Sequence, residues 1–432
     1  MTTRLRDRLA LGSCVALGLA ISTGHPMGMI AAAALPYACL IPATKKDAFR
    51  AALGYYLAAL WPMIAGLKRY LGASATFLTP LAIWIFGAAA LSIPWALAAT
   101  STRTQHLWRA PLALSATALP PLGIIGLASP LTAAGYLFPG TAWIGLAAVA
   151  LLPGVLLATS RLPMRHRGVV WCSIAAACLA LGTVPRLFGS SDVAAPRGWI
   201  AVNTNLGDIS QPFRDFAAAQ FIQDTAAKTS ARVLIFPESV VPRWSEATEG
   251  FWLQSLDRCR RLGQILAFGA GLPRPVPNDI AKLNDLRLYD FGPALDALKT
   301  MDGAPVHLTP GSTSPELIDN AFVVAGADSA TFYQRVPLPI GMWQPFSRTS
   351  VPLRLGAPGI LPIDHQRAAV LICYEQMLTF PVFASMLERP TVILGISNTF
   401  WVAGTSIPRY QANAVRGWAR LFRLPYFLAV NS

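Results

Sequence analysis

Long apolar runs alternate with short clusters of charge in the N-terminal part of the chain. Seven runs approach the ~17–25 residues that a membrane helix needs, and several contain Pro or Gly, which membrane helices tolerate. From Arg197 onward, charged residues occur at ordinary density. The pattern predicts an N-terminal polytopic α-helical membrane domain over 1–185, a linker over 186–197 and a second domain over 198–432. The predicted spans are 9–23, 26–43, 51–66, 76–99, 110–128, 134–158 and 168–184.

The basic residues explain the net charge of +14 and suggest an orientation. They cluster in alternate loops, at 4–8, 45–50, 103–109 and 161–167, whereas the opposite loops hold only Lys68 and Arg69. This asymmetry follows the positive-inside rule and places the N-terminus in the cytoplasm. Seven spans then place the second domain in the periplasm, beyond a bacterial inner membrane. Because the loops account for the charge, we expect no nucleic-acid partner.

The second domain reads as alternating strands and helices, which is typical of an α/β layered fold. A helix is predicted over Phe213–Thr229, capped by Ser210. Residues 275–318, rich in Pro, Asp, Asn and Gly, read as an irregular insertion. The buried strands are predicted at Trp199–Asn203, Arg232–Phe236, Gln264–Gly269, Ala368–Ile372 and Thr391–Ile396.

Two of these strands end in residues with acyl-transfer chemistry. The strand over 368–372 runs directly into Cys373, and the strand over 232–236 is followed by Pro237 and Glu238. A thiol and a carboxylate presented at strand ends can serve as nucleophile and general base.

Four motifs in this order resemble the carbon–nitrogen hydrolase (nitrilase) superfamily: Pro237-Glu238, the loop from Tyr333 to Trp343, Ile372-Cys373-Tyr374-Glu375, and the run over 396–401. The resemblance implies an α/β nitrilase-like αββα sandwich. Preceded by membrane spans, such a domain also resembles apolipoprotein N-acyltransferase. The run Pro339–Phe346 makes the chain resemble more closely a family of membrane proteins of plasmid conjugal transfer in rhizobia.

The resemblance implies a Glu-Lys-Cys triad, in which Glu238 is the base and Cys373 forms a thioester. The ungapped match puts Gln334 where the family has lysine, and a shift of one residue puts Arg335 there instead. A neutral amide replaces a full charge at the oxyanion, and loss of one oxyanion donor typically costs about 10²–10³ in rate. We therefore expect Arg335 to supply the missing cation if catalysis survives.

Further residues are candidates for the substrate pocket, each with an ordinary alternative. Tyr374 adjoins the nucleophile. Glu375 either supports the site or is a charge at a helix N-terminus. Asn398 and Trp401 either shape the pocket or have structural roles, Asn398 in a turn at a strand end and Trp401 in the core. Trp343 either forms a lid or packs within its own loop. The five histidines show no metal-ligand spacing, so we expect no metal or other cofactor.

The last predicted helix, Pro408–Arg423, carries four arginines on one face. Solvation is the ordinary explanation for this face, and contact with phospholipid headgroups is the alternative. The C-terminus is expected outside the cytoplasm, within or just after a core strand.

These features predict a membrane protein that supports conjugal transfer, with Cys-dependent acyl or amide chemistry on an envelope component. The expected partners are membrane phospholipid and a lipoprotein or component of the conjugation apparatus. One alternative is a catalytically impaired scaffold that binds a lipid or peptide of that apparatus. Another is a lipoprotein N-acyltransferase. Gln334 in place of the family lysine and Met342 in place of the family glutamate after glycine disfavour it.

Overall fold

The structure of the protein is a computed structural model. It describes residues 3–42, 44–72, 76–160, 162–188, 193–207, 214–275 and 316–432.

The described secondary structure of the N-terminal region consists of helices. Ten α-helices precede the first strand among the residues described in this region: α1 Thr3–Ser22, α2 Pro26–Ala32, α3 Leu35–Leu40, α4 Lys45–Leu60, α5 Pro62–Tyr70, α6 Leu78–Ala98, α7 His106–Ala118, α8 Ala134–Leu137, α9 Trp143–Thr159 and α10 Met164–Phe188.

Two stretches of the described chain are long and apolar enough to cross a bilayer, Leu78–Ala98 and Met164–Thr183. Two shorter apolar helical stretches, Pro26–Leu40 and Trp143–Thr159, accompany them. Length and composition of two helices are weak evidence for membrane association, and the seven predicted spans stay a prediction. The predicted span over 26–43 contains two helices of 7 and 6 residues, α2 and α3, interrupted at Ala33 and Ala34. Each of these helices is shorter than the ~17–25 residues that a membrane helix needs.

The C-terminal region contains two mixed β-sheets. The first has the order β1-β2-β3-β4-β5 and the second the order β6-β7-β8-β9. Strands β1 to β3 are parallel, as are β7 to β9, and the remaining pairs are antiparallel. The strands are β1 Trp199–Ala201, β2 Val233–Ile235, β3 Ile265–Pro275, β4 Glu316–Gly326, β5 Ala330–Tyr333, β6 Ile360–Ile363, β7 Gln366–Ile372, β8 Val392–Asn398 and β9 Tyr426–Asn431.

The two sheets pack face to face between layers of helices. Val233, Ile235 and Phe322 of the first sheet share one buried cluster with residues of the second, such as Val370 and Ile396. The outer face of the first sheet is covered by α11 Arg214–Lys228 and α12 Glu246–Leu262, and that of the second by α13 Thr379–Leu387 and α14 Ile407–Phe422. The order of layers is therefore helix, sheet, sheet, helix, as predicted.

Helix α14 joins the C-terminal domain to the N-terminal helices. The Tyr136 hydroxyl donates to the Asn413 carbonyl oxygen at 2.6 Å, and the Asn413 side chain donates to the Gly24 carbonyl oxygen at 2.8 Å. Gly135 lies so close to Gly417 that a Cβ at Gly135 would stand 1.8 Å from the Gly417 oxygen. Such contact admits only glycine, so the two regions are closely packed.

The predicted strands agree with the structure to within a few residues at their ends, except that β3 continues to Pro275. Of the predicted insertion over 275–318, residues 276–315 lie outside the described residues, and 316–318 belong to β4. Ser210 and Phe213, predicted at the start of a helix, also lie outside them. The last residues of α10, 186–188, extend into the predicted linker, of which 189–192 are not described.

Candidate active site

Cys373 lies where strand β7 ends and a short 3₁₀ turn, Cys373–Met377, begins. Its φ is +48°, in the left-handed region that a residue with a Cβ rarely adopts. Such a conformation costs on the order of 1–3 kcal/mol and persists only when its surroundings impose it. The turn thus presents the thiol at the carboxyl edge of the second sheet.

Glu238 reaches the same place from the first sheet, three residues after β2 ends. Strand β3 passes it closely, and a Cβ at Gly269 would stand 2.4 Å from the Glu238 Cα. Gly269 therefore allows the backbone of β3 to approach the Glu238 segment. The glycines at 269 and 271 serve this packing, since a Cβ at Gly271 would meet the Pro242 carbonyl oxygen at 2.1 Å.

The carboxylate of Glu238 is buried and fully engaged. One oxygen accepts from the Asn320 side-chain nitrogen at 2.7 Å, and the other from the Asn398 backbone nitrogen at 2.8 Å. The Cys373 sulfur lies 4.0 Å from the carbonyl oxygen of the same Asn398, and the carboxylate is close enough to raise the pKa of the thiol. The structure therefore brings the predicted base and nucleophile to the backbone of the same residue, Asn398, although they are 135 positions apart in the sequence.

Burial sets the protonation state of this pair. It raises the pKa of Glu238, against the opposing effects of the Cys373 thiol and of the hydrogen bonds from Asn398 and Asn320. It raises the pKa of Cys373 well above its ordinary value, and the negative charge of Glu238 adds to the effect. The thiol is therefore neutral at rest and needs a base at the moment of attack.

Gln334 links Asn320, which binds Glu238, to the backbone of the residue before Cys373. It is completely buried; its side-chain oxygen accepts from Asn320 at 3.0 Å, and its nitrogen donates to the Ile372 carbonyl oxygen at 3.3 Å. This is the position at which the ungapped match places the family lysine. The amide thus orients Asn320 and the backbone before Cys373 without contributing a charge.

Arg335 is directed elsewhere, so we correct its expected role as a substitute cation. Its guanidinium donates to the carbonyl oxygens of Pro381 at 3.1 Å and Val370 at 3.2 Å, and to the Ser385 hydroxyl at 3.1 Å. It is 1 % exposed and lies 3.6 Å from the Glu375 carboxylate. Adjacent residues of an extended chain point to opposite sides, so Gln334 faces the site while Arg335 faces α13.

Glu375 is part of the scaffold and does not line a pocket. One oxygen accepts from the backbone nitrogens of Arg335 at 2.6 Å and Val336 at 2.9 Å, and the other from that of Ile372 at 3.1 Å. The carboxylate thereby fixes both chain segments that carry Gln334 and Cys373. Of the two sequence alternatives, support of the site describes its contacts better.

Removing either member of this buried pair should destabilise the protein without acting on the chemistry directly. We expect Arg335→Gln and Glu375→Gln each to cost roughly 3–5 kcal/mol of folding free energy, because each leaves an uncompensated buried charge. Thermal unfolding of the purified variants measures this. Arg274→Gln is the control, since Arg274 lies at 3.2 Å from Asp319 in a more exposed ion pair. A wild-type melting temperature for Arg335→Gln with slower alkylation of Cys373 would restore the cation hypothesis.

The remaining predicted pocket residues surround the pair at different distances. The carbonyl oxygen of Asn398 is 4.0 Å from the Cys373 sulfur and accepts from the Trp401 indole nitrogen at 3.0 Å. The Tyr374 hydroxyl donates to the Ile124 carbonyl oxygen at 3.0 Å, in the N-terminal region. Trp343 is half-buried, and its backbone closes a tight loop with Leu338 and Ile340.

Two amide side chains of the site are absent from the predicted set. Asn320, on β4, binds both Glu238 and Gln334. Gln411, on α14, donates to the Cys373 carbonyl oxygen at 3.0 Å and lies 3.9 Å from its sulfur. Its own side-chain oxygen is buried and has no hydrogen-bond partner among the described residues. A polar residue inside an apolar strand, as in Ile318–Val324, is the signal that points to Asn320.

An apolar cavity of about 690 Å³ reaches Tyr374, the residue that follows Cys373. Tyr374 forms part of its wall, and helices α4, α5 and α6 form most of the rest. Its lining has no charged residue and is Leu60, Met63, Leu67, Leu78, Thr79, Ala82, Ile83, Trp84, Phe86, Gly87, Ile125, Leu127, Leu338, Pro339, Ile340 and Tyr374. The cavity suits an extended hydrocarbon group.

A larger cavity of about 1000 Å³ opens at the other end of the sandwich. It is lined by residues that precede β2 and β3, such as Arg232 and Gln264, and by the turn at Asp364 and His365. Glu238 and Cys373 follow the carboxyl ends of their strands, so this cavity lies at the opposite edge and contains none of the predicted site residues.

Comparison with known proteins adds two kinds of likeness. No family model matches the chain. Among solved structures, a mutant of the nitrilase-superfamily amidase from Nesterenkonia AN1 is 15% identical, covering 55% of this chain and 79% of that one, with a TM-score of 0.31. A further structure of an amidase from Nesterenkonia sp. gives a TM-score of 0.30 at 15% identity, covering 56% and 80%.

Two curated proteins match over essentially their full length. A probable conjugal transfer protein TraB of Sinorhizobium fredii (strain NGR234) is 25% identical over 441 residues, covering 99% of both chains. The conjugal transfer protein TraB of Agrobacterium fabrum (strain C58) is 28% identical over 463 residues, covering 99% of this chain and 94% of that one. The chain is therefore similar, from end to end, to proteins named TraB.

Proposed function

We propose that the chain is a membrane protein of plasmid conjugal transfer whose C-terminal domain transfers acyl groups through a thioester on Cys373. The observation that carries the chemistry is the convergence of Glu238 and Cys373 on the Asn398 backbone, where the buried carboxylate raises the pKa of the thiol. The similarity to two TraB proteins over their full length supports the conjugal role.

The first half-reaction uses Glu238 as a base. The carboxylate takes the thiol proton while the sulfur attacks the carbonyl carbon of an ester or amide, so that a sulfur–carbon bond forms. The tetrahedral intermediate then expels an alcohol or amine, which leaves with the proton returned by Glu238. In the second half-reaction an amine or water attacks the thioester, and the thiol is regenerated.

The acyl donor is proposed to be a membrane phospholipid. The lining of the cavity at Tyr374 is uncharged and predominantly apolar, and its wall is formed largely by helices of the N-terminal region. Burial of hydrocarbon in such a site gives on the order of 0.8 kcal/mol per CH₂ group. The acceptor is proposed to be an envelope component such as a lipoprotein or a member of the conjugation apparatus.

Filling this cavity should block long-chain donors selectively. We expect Gly87→Phe to lower the rate of acylation by a long-chain ester at least tenfold, and to leave alkylation of Cys373 by iodoacetamide unchanged. A Cβ at Gly87 meets no atom within 4 Å, so the backbone tolerates a side chain that then occupies the cavity. Quenched acylation assays with esters whose acyl groups have two and sixteen carbons measure the difference in rate.

Gly168→Phe is the matched control. Gly168 also lies in an apolar helix, a Cβ there also meets nothing within 4 Å, and the residue is outside the cavity lining. Equal loss with short and long donors in Gly87→Phe, or equal loss in Gly168→Phe, would contradict the assignment of the cavity to the acyl chain.

The proposed location is the bacterial inner membrane, with the N-terminus in the cytoplasm and the C-terminal domain in the periplasm. The loop charges support this orientation. A phosphatase fused after Ser432 should therefore be active in intact cells, whereas a fusion at Lys46 should be inactive. An inactive fusion at Ser432 in a stable, full-length protein would place the domain in the cytoplasm.

A catalytically impaired scaffold is the second candidate. The observation that favours it is Gln334, a neutral residue at the position of the family lysine whose amide is engaged at both ends by Asn320 and Ile372. A scaffold would use the same cavity to bind a lipid or peptide without forming a thioester. Function in the absence of the Cys373 thiol distinguishes the two candidates.

A further inference from the structure

Four arginines form a stripe along α14 and its C-terminal end: Arg409, Arg416, Arg420 and Arg423. At 100° per residue, the spacings of seven, four and three keep them within an arc of about 60°. All four side chains are exposed. Among the residues that the structure describes, none of the four lies within 4.0 Å of a carboxylate. The stripe is thus a concentrated positive charge without an acidic partner in the described chain.

The stripe runs along the junction with the apolar helices. The backbone nitrogens of Gly140 and Ala142 donate to the carbonyl oxygens of Arg420 at 2.8 Å and Leu421 at 2.9 Å. The Arg420 guanidinium lies over the Tyr136 ring, 5.4 Å from its centroid. The C-terminal end of α14 therefore meets the loop that leads into α9.

An aromatic cluster marks the same junction. Trp143, the first residue of α9, packs edge-on against Phe383 at 5.6 Å and Phe422 at 5.3 Å between ring centroids. Trp143 is nevertheless 42% exposed, and the next residue, Ile144, is 65% exposed. An amphipathic Trp at the end of an apolar helix is typical of the boundary between hydrocarbon and headgroups.

We propose that this arginine stripe binds the anionic headgroups of membrane phospholipids. Guanidinium groups match phosphate oxygens in a bidentate geometry, and their hydrocarbon stems can lie against apolar surface. The exposed Ile144 and Trp143 beside them extend the contact toward the hydrocarbon. Headgroup binding would hold the C-terminal domain against the bilayer, and it does not depend on chemistry at Cys373.

Lipid titration of the purified full-length protein in neutral detergent tests the proposal. Native mass spectrometry would compare phosphatidylglycerol with phosphatidylcholine of identical acyl chains. We expect wild type to prefer the anionic lipid, and this preference to weaken as salt rises. A triple variant of the arginine stripe carries Arg416→Gln, Arg420→Gln and Arg423→Gln. It should bind phosphatidylglycerol about 100-fold more weakly and phosphatidylcholine with unchanged affinity.

A control of equal charge separates the stripe from net charge. Lys228→Gln, Arg260→Gln and Arg261→Gln together remove three positive charges from α11 and α12, on the far side of the sandwich. This variant should keep the wild-type preference, and three Arg→Lys changes in the stripe should keep most of it. Should the triple Gln variant not fold, Arg420→Gln and Arg423→Gln singly should each weaken binding about fivefold.

Three results would overturn the proposal. They are a folded stripe variant with wild-type preference for phosphatidylglycerol, an equal loss in the α11–α12 control, and displacement of the lipid by inorganic phosphate at matched ionic strength. The last result would indicate a site for a free anion.

Discussion

Cys373→Ser should reduce conjugation to the level of a deletion while the protein remains folded in the membrane. The change keeps the shape of a buried side chain. The Cys373 carbonyl oxygen accepts from Gln411, and the backbone nitrogen of the preceding Ile372 donates to Glu375. A serine hydroxyl is a far weaker nucleophile, and Glu238 cannot ionise it as readily. Loss of a nucleophile of this kind typically lowers the rate by about 10⁴-fold or more. Mating frequency with a plasmid carrying each variant, together with immunoblotting of membrane fractions, measures the effect.

Cys259→Ser is the matched control for this variant. Cys259 is also a buried thiol of the C-terminal domain, and its sulfur contacts the Gln264 side-chain oxygen at 3.4 Å. It lies on α12, on the outer side of the first sheet. We expect conjugation at the wild-type frequency. A Cys373→Ser protein that also supports full conjugation would favour the scaffold and exclude thioester chemistry as the basis of function.

Glu238→Gln should lower the rate of Cys373 acylation by about 10²–10⁴, the usual contribution of a general base. The amide cannot accept the thiol proton. It also turns a donor toward either Asn320 or the Asn398 backbone nitrogen, each of which already donates. Single-turnover acylation by a small ester measures the rate, and Glu249→Gln, an exposed carboxylate on α12, should leave it unchanged.

The pH dependence should separate loss of the base from general damage. In wild type, acylation should fall as pH drops through the raised pKa of Glu238, because the protonated carboxyl cannot act as a base. Glu238→Gln should lack this acid limb, and its residual rate should rise with pH as the Cys373 thiol, with its raised pKa, begins to ionise. The same acid limb in both proteins would mean that another group is the base.

The raised pKa of Glu238 should also make the folding stability of the wild-type protein depend on pH. Because the folded-state pKa of Glu238 is raised, ionisation of this carboxyl opposes folding, and its contribution to stability is lost as pH rises through that pKa. The melting temperature of Glu238→Gln relative to wild type should therefore increase from acid to neutral pH.

The meeting of Glu238 and Cys373 follows from local sequence signals. Each residue comes after a short apolar strand, and the carboxyl ends of such strands lie at one edge of each sheet. Two sheets that pack face to face bring these edges together. Strand positions in the sequence were therefore enough to indicate the pair.

Other parts of the site depend on contacts that no local pattern contains. Gln411 reaches Cys373 from a helix 38 residues further along the chain, and the arginine stripe of the same helix gives no sign of this. Asn320 lies just after a segment whose composition predicts irregular structure, although its last residues, 316–318, belong to β4. Arg335 was misplaced because a motif with a one-residue ambiguity does not show to which side each side chain points.

The N-terminal region shows how far composition determines structure. Apolar stretches predict where helices occur, and each predicted span contains helix. Pro and Gly divide several of them into pieces shorter than a bilayer crossing, so composition does not determine how many spans form.

Mass spectrometry of the purified full-length protein after incubation with a phospholipid donor is the most direct test of the central claim. We expect the peptide that contains Cys373 to gain the mass of one acyl group. The added mass should disappear on treatment with neutral hydroxylamine and be absent from Cys373→Ser. An unmodified Cys373 peptide, from protein that supports conjugation in cells and with phospholipid donors of several headgroups, would contradict thioester formation.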